Sequence, residues 1–315
     1  MRWKIEWKNL EVSMENTSKV LVLFLWIGFG ALRPEPAFAG SAPTTQVCAQ
    51  AVEKAGVWTC AYPLKPEVAR KRHWSYRFTQ DGGRTTKVEV INGAGQILDG
   101  IIPTTVSPLL SGSVEYAWNA DGKGFWVTIR SREGSVEERW KVTSRVRDKY
   151  RKPAPGETDP EKSRVKGSGP CREKWTEDKS GFVKTVRFFN WKDQPRADSN
   201  GAYGYQVERN AQGVVVTEVP LNKEGKPTVT ALGQVKFNYQ YDAAGNLLSA
   251  SSVDKENKPT YLRTFHYSKI AYDVNGNPVS EAFLDKDGKP AKNYMETGMW
   301  KAKYDATGNL VQKLF

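Results

Sequence analysis

The chain has 315 residues, a formal net charge of +12, and a composition that is 39% hydrophobic and 11% aromatic. That apolar content suffices for a packed core and excludes a disordered chain, and the excess of Lys and Arg favours anionic partners. The length admits one large domain or two ordinary ones.

The N-terminus predicts the compartment. VLVLFLWIGFGAL, residues 20–32, follows Lys19 and precedes Arg33 and the small-residue site AFA at 37–39. A cation, a short apolar run and a small-residue site form the order of a cleavable secretory signal, assigned to 1–39, with Met1 or Met14 as the start. A membrane helix takes about 20 apolar residues, so no stable span is expected after cleavage. No Cys follows the site to carry a lipid. Removing five Lys/Arg and four Asp/Glu from a chain of +12 leaves +11 on the secreted or periplasmic protein.

Residues 40–146 read as a β-rich domain. Its corners are TQDGG at 79–83, NGAG at 92–95, NADGKG at 119–124 and SREG at 131–134. CAQAVEKAG, starting at Cys48, reads as one short helix. The three cysteines are Cys48, Cys60 and Cys171. A Cys48–Cys60 bridge suits an oxidising compartment. A continuous helix would hold those two Cα atoms about 18 Å apart, whereas a disulfide takes about 5.5 Å, so the bridge requires the chain to double back near Gly56. Which of the three pairings forms is left open. Residues 147–172 are charged and rich in Pro and Gly without periodicity, which predicts a linker or long loop.

The remainder, 173–315, is a repeat. YDAAGN at 241–246 returns as YDVNGN at 272–277 and YDATGN at 304–309. NKEGKP at 222–227, DKENKP at 254–259 and DKDGKP at 285–290 alternate with it. Asp at the first turn position accepts a backbone N–H, and Gly three residues on supplies the positive φ of a bulged hairpin. Asn257 replaces Gly in the middle copy, and Asn best tolerates the left-handed region after Gly. The predicted corners are therefore Asp242 with Gly245, Asp254 with Asn257, Asp273 with Gly276, Asp285 with Gly288, and Asp305 with Gly308. Weaker copies at 178–181, 190–193 and 210–213 complete about four units of 31–32 residues. Between corners, LLSASSV, PVSEAFL, QVKFNYQY, SKIAY and MWKAKY read as strands, and Pro227, Pro259 and Pro290 interrupt the ladder. The fold class is all-β, an array of antiparallel hairpins preceded by a β-rich region.

Over roughly the last 130 residues these corners resemble the YD repeats of bacterial RHS-type secreted proteins. They also resemble looser bacterial arrays in which YDxxGN alternates with DGKP. The resemblance implies stacked β-hairpins. The period here is longer than the usual YD repeat, and four units are too few to enclose a cargo.

The catalytic inventory is thin. The two histidines, His73 and His266, lie outside any HExxH, and no GxSxG or CxxC occurs, so no enzyme, cofactor or metal is expected. His266 is expected at a partly exposed strand position and His73 in a basic-aromatic patch. In DKDGKP, Lys289 stands where a third calcium ligand belongs, and turn chemistry accounts for the acidic residues. Rings interleaved with cations are the suggestive feature: RHWSYRF, YAWNADGKGFW and RFFNWKDQPR. Exposed rings stack on sugars while cations hold anionic groups, whereas alternate burial of rings is what any strand produces. Trp74, Tyr76, Trp118, Trp126, Trp191, Arg187 and Arg196 are the candidate ligand-binding residues.

These features point to an exported, non-catalytic protein of the bacterial envelope. It is expected to bind a glycan, an anionic polymer or another envelope protein, and not nucleic acid. The alternatives are a cell-wall or polysaccharide-acting enzyme whose carboxylate pair forms only on folding, and a purely structural or secretion-associated array.

Overall fold

The computed structural model describes residues 42–98, 112–150, 163–166, 169–262, 264–293 and 296–315. The expected signal segment and residues 151–162 of the expected linker lie outside them. Nineteen strands and one short helix occur among the described residues. The N-terminal region holds β1 (Thr44–Lys54), β2 (Val57–Pro63), α1 (Pro66–Ala69), β3 (Ser75–Asp81) and β4 (Arg84–Ile91). It continues through β5 (Ser113–Trp118), β6 (Gly124–Arg130), β7 (Val136–Thr143) and β8 (Val146–Tyr150). The repeats supply β9 (Arg172–Glu177), β10 (Val183–Phe189), β11 (Gly204–Arg209), β12 (Val215–Pro220), β13 (Lys236–Tyr241) and β14 (Leu247–Val253). They end with β15 (Pro259–Thr260), β16 (Tyr267–Tyr272), β17 (Pro278–Leu284), β18 (Met299–Tyr304) and β19 (Leu310–Leu314).

Every pairing is antiparallel, and one sheet runs as a meander from β2 through β1 and β3 to β19. The all-β expectation holds. The two β-regions share that sheet, because β8 pairs with β9 through Arg147 and Glu173. A boundary at 146–147 therefore falls inside a strand, since Val146–Tyr150 is paired on both sides.

The helix expected at Cys48 is absent. Residues 48–54 lie in β1, and the one helix among the described residues is Pro66–Ala69. Pairing with β2 overrides the helical preference of an Ala-rich segment. Lys54 stands opposite Val57, and Ala55 and Gly56 turn with φ of 56° and 67°, the positive values a two-residue hairpin needs. That doubling back brings Cys48 and Cys60 within 5.7 Å at Cα, and they form the disulfide, leaving Cys171 as a buried thiol.

The corners form as their residues dictate. At Asp242 the carboxylate accepts from the N–H groups of Ala244 and Asn246 at 2.9 and 2.8 Å, and Gly245 has φ of 84°. Asp254, Asp273, Asp285 and Asp305 repeat the pattern, and Asn257 takes φ of 59°. One oxygen of each aspartate is thus spent on the backbone, and in the YDxxGN corners the other accepts from the side chain of the closing Asn. Phe237 and Tyr239 point into the core, as alternation requires.

The sheet curls around the β1–β2 hairpin. On one side the Trp58 N–H donates to the Tyr116 hydroxyl of β5 at 3.0 Å, and Arg147 of β8 pairs with Glu53. On another, Gln50 donates to the Gly245 carbonyl at 2.9 Å, and Val52 and Ala61 pack on Val214. A single hydrophobic cluster extends from Cys48 and Trp58 through Phe125, Trp140, Trp175 and Phe188 to Phe237 and Ile270. Farther on, the chain at 71–73 lies over the YDxxGN corners. Arg72 donates to the Asn246 side chain at 3.1 Å, and Asn277 donates to the Lys71 carbonyl at 2.9 Å.

Candidate binding face

Strands β6 to β10 carry one register row across the face turned away from the core. Trp126 stands opposite Lys141, Lys141 opposite Asp148, Asp148 opposite Arg172, and Arg172 opposite Phe189. Partners in an antiparallel ladder project to the same side, so five side chains line up over four strand spacings, about 19 Å. All five are half-buried, whereas their chain neighbours Phe125, Trp140, Glu173 and Phe188 are buried on the opposite face.

The flanking positions are of the same kind. Arg139 lies 4.6 Å and Lys141 5.8 Å from the Trp126 ring, which also meets Tyr150 edge-on at 4.8 Å. At the other end Lys166 and Lys192 lie 5.8 and 5.2 Å from the Trp191 ring, and Lys174 is 4.9 Å from Phe189. Arg172 joins the middle of the row to the Trp191 end: it forks onto Asp148 at 2.7 and 3.0 Å and reaches Asp193 at 3.5 Å. Arg164 contacts Asp148 at 2.8 Å and Lys174 contacts Asp193 at 2.6 Å. Burial raises the Asp148 carboxyl, but the hydrogen bonds from Arg172 and Arg164 outweigh it and hold it below its ordinary range. The named groups number seven cations, Arg139, Lys141, Arg164, Lys166, Arg172, Lys174 and Lys192, against two carboxylates. Such a surface attracts polyanions and offers rings for stacking.

Two of the seven expected ligand-binding residues, Trp126 and Trp191, anchor the opposite ends of this face. Arg187 stands on it too, opposite Lys174, but its guanidinium donates to the Lys223 carbonyl at 2.5 Å and closes over Gly225. Arg196 is exposed, and its N–H donates to the Phe188 carbonyl at 3.0 Å at the same end of β10. The other three lie elsewhere. Tyr76 is wholly buried in the core, so it is no surface contact. Alternation places it inside, and burial pushes its hydroxyl far up. Trp118 packs on Phe125 and donates to the Thr85 carbonyl at 3.1 Å, with Arg84 over its ring. Trp74 packs against Tyr76 and lies beneath Arg72. His73 contacts the Gly308 carbonyl at 3.2 Å and the Tyr304 ring, and burial together with the nearby Lys313 lowers its pKa. His266, expected in a strand and partly exposed, precedes β16 and is buried beside Tyr261.

Sequence reasoning missed Arg139, Lys141, Asp148, Arg164, Lys166, Arg172 and Lys174. The signal for four of them was present as alternation, since Arg139 and Lys141 bracket Trp140, and Arg172 and Lys174 bracket Glu173. Reading 147–172 as a linker concealed Asp148, Arg164, Lys166 and Arg172.

A second feature lies on the core side. Arg147 contacts Glu53 at 3.1 Å and Glu173 at 3.3 Å beneath Trp140 and Trp175. Burial opposes its charge, but the two carboxylates more than restore it, and burial pushes the Glu173 carboxyl well up. A cavity bounded by Trp58, Tyr116, Trp140, Glu53, Glu138 and Arg147 adjoins this triad, with about 460 Å³ of empty space that includes open solvent.

No protein-family model matches the chain, and no curated protein matches it. Among solved structures it is similar to a chain of the Photorhabdus luminescens Tc holotoxin pore, with 10% identity and a TM-score of 0.22 over 81% of this chain and 16% of that one. A TcdB2–TccC3 crystal structure matches at 12% identity and a TM-score of 0.18, over 79% and 14% of the respective chains. The chain thus spans about a sixth of the length of these neighbours, and likeness this slight bears on neither fold nor site.

Proposed function

We propose that this is an exported, non-catalytic β-repeat protein of the bacterial envelope that binds an anionic glycan or surface polymer across β6–β10. The observation that carries the reading is the row Trp126–Lys141–Asp148–Arg172–Phe189, with cations outnumbering carboxylates seven to two around it. The apolar leader at 20–32 and the likeness of the corners to YD repeats of RHS-type secreted proteins support the export and the repeat class. Exposed ion pairs fade beyond about 10 Å at 0.1 M salt, so retention on an envelope fraction should be strong at low salt and lost at high salt. Cosedimentation of the mature protein with envelope material, repeated with K141A/K192A, tests this. Equal retention of both proteins, or none of either, defeats the proposal.

A second reading, an enzyme acting on polysaccharide, rests on Glu53, which lines the aromatic cavity, and on Glu173, which Arg147 joins to it and which burial raises. Both carboxylates are engaged by Arg147, which suits a structural ion triad. Hydrolysis of a wall glycan that E173Q abolishes without unfolding would establish the enzyme instead.

A further inference from the structure

The middle of the row is occupied by the protein's own acid. Asp148 is a half-buried carboxylate gripped by two guanidiniums, with Arg172 donating through Nε and Nη2 at 2.7 and 3.0 Å and Arg164 contacting it at 2.8 Å. Parallel bonds from one guanidinium to both oxygens match the planar geometry of a carboxylate. This arrangement lies between Lys141 and Arg172 in register, with rings at either end, Trp126 on one side and Phe189 on the other. A flexible acidic polymer laid along the row would bring its own acid groups to that point.

We infer that Asp148 is a built-in surrogate for a ligand carboxylate, that ligand acid groups displace it from Arg164 and Arg172, and that the ligand class is a carboxylate-bearing polysaccharide. The inference rests on the polymer-binding reading and deepens it. One sugar ring stacks on Trp126 while the acid group of a residue farther along the same polymer meets the paired arginines two strand spacings away. Asp148 then sets affinity and specificity together, since a ligand without carboxylates gains nothing that Asp148 does not already provide.

The competing account makes Asp148 an anchor that ties Ser163–Lys166 to β8, where Val165 donates to the Lys149 carbonyl. Under that account, removing its charge loosens the segment and weakens binding.

Retention of wild-type, D148N and D193N proteins on immobilised polygalacturonate and on poly(glycerol phosphate) separates the two. D148N is expected to bind polygalacturonate at least fivefold tighter than wild type, with a smaller gain on poly(glycerol phosphate). D193N removes a carboxylate from the same face and is expected to gain less than twofold. An unchanged or weaker D148N overturns the inference, as does an equal gain from D193N, which would reduce the effect to net charge. Equal gains on both polymers overturn the carboxylate class. Should D148N fail to fold, R172K decides. It keeps the charge but loses the fork, so the wild-type preference for polygalacturonate should fall severalfold, and an undiminished preference overturns the inference. A wild-type protein that binds neither polymer defeats the parent reading; one that binds while D148N gains nothing defeats only this one.

Discussion

The Tyr272 hydroxyl donates to the carbonyl of Leu247 at 3.0 Å, and one repeat later Tyr304 donates to Pro278 at the same distance. Each acceptor is the first residue past the preceding YDxxGN corner. The tyrosine of these two copies is therefore a stitch between units, and the aspartate and glycine make the turn.

Removing one stitch should cost about 1 kcal/mol, because the bond is lost and a mostly buried carbonyl is left without its partner. Y272F is expected to lower the unfolding midpoint by a few degrees with its far-UV spectrum unchanged. Thermal unfolding followed by circular dichroism checks this, and an unshifted midpoint would remove the stitch from the account.

Two corner glycines of similar backbone should respond differently. Gly276 and Gly288 have φ of 81° and 75°, so alanine at either place bears left-handed strain of about 1 kcal/mol. A Cβ on Gly276 would also collide with the Arg72 guanidinium and approach the Asn246 side chain, whereas one on Gly288 meets open space. G276A should therefore lose at least twice the stability that G288A loses in urea titrations. Equal losses would mean that the 71–73 segment does not bear on the corners.

The turn chemistry was open to reading because it is local. Asp242 with Gly245 and Asp285 with Gly288 act within four residues, and their spacing set the strand lengths. The β1–β2 hairpin was half legible: the cysteine distance required a reversal at Gly56, yet Ala-rich CAQAVEKAG still suggested a helix, since propensity ignores the partner strand. The candidate face was the least legible. Trp126 and Trp191 were visible as rings beside cations, but Lys141, Asp148 and Arg172 meet only through pairing of β7, β8 and β9, which no local pattern encodes. Tyr76 shows the converse error, since a ring among cations can face inward.

The disulfide fixes the hairpin around which the sheet curls. Closing a loop with a sequence separation of 12 restricts the unfolded chain by about 3 kcal/mol. Wild-type protein should melt several degrees lower in reductant, and C48A/C60A should match the reduced wild type and ignore reductant. A reductant-insensitive wild type would contradict the role given to the bridge.

Glu218 is buried and accepts a hydrogen bond from the Tyr239 hydroxyl at 3.0 Å, and burial pushes its carboxyl up to about 8. A folded-state value above the unfolded one means that its contribution is full below pH 4.5 and is lost as pH rises through 8. E218Q cannot ionise, so its stability relative to wild type should grow between pH 5 and pH 8. Urea denaturation at both values tests this; a constant difference would show that Glu218 is ionised throughout.

Calorimetric titration of residues 40–315 with polygalacturonate at low and high salt, alongside R139A/K141A and W126A, tests whether β6–β10 holds an acidic polymer. Binding is expected at low salt and should weaken steeply as salt rises, at least tenfold weaker in R139A/K141A and severalfold weaker in W126A, with all three proteins equally stable. Binding that ignores salt, or variants that bind as wild type does, would contradict it.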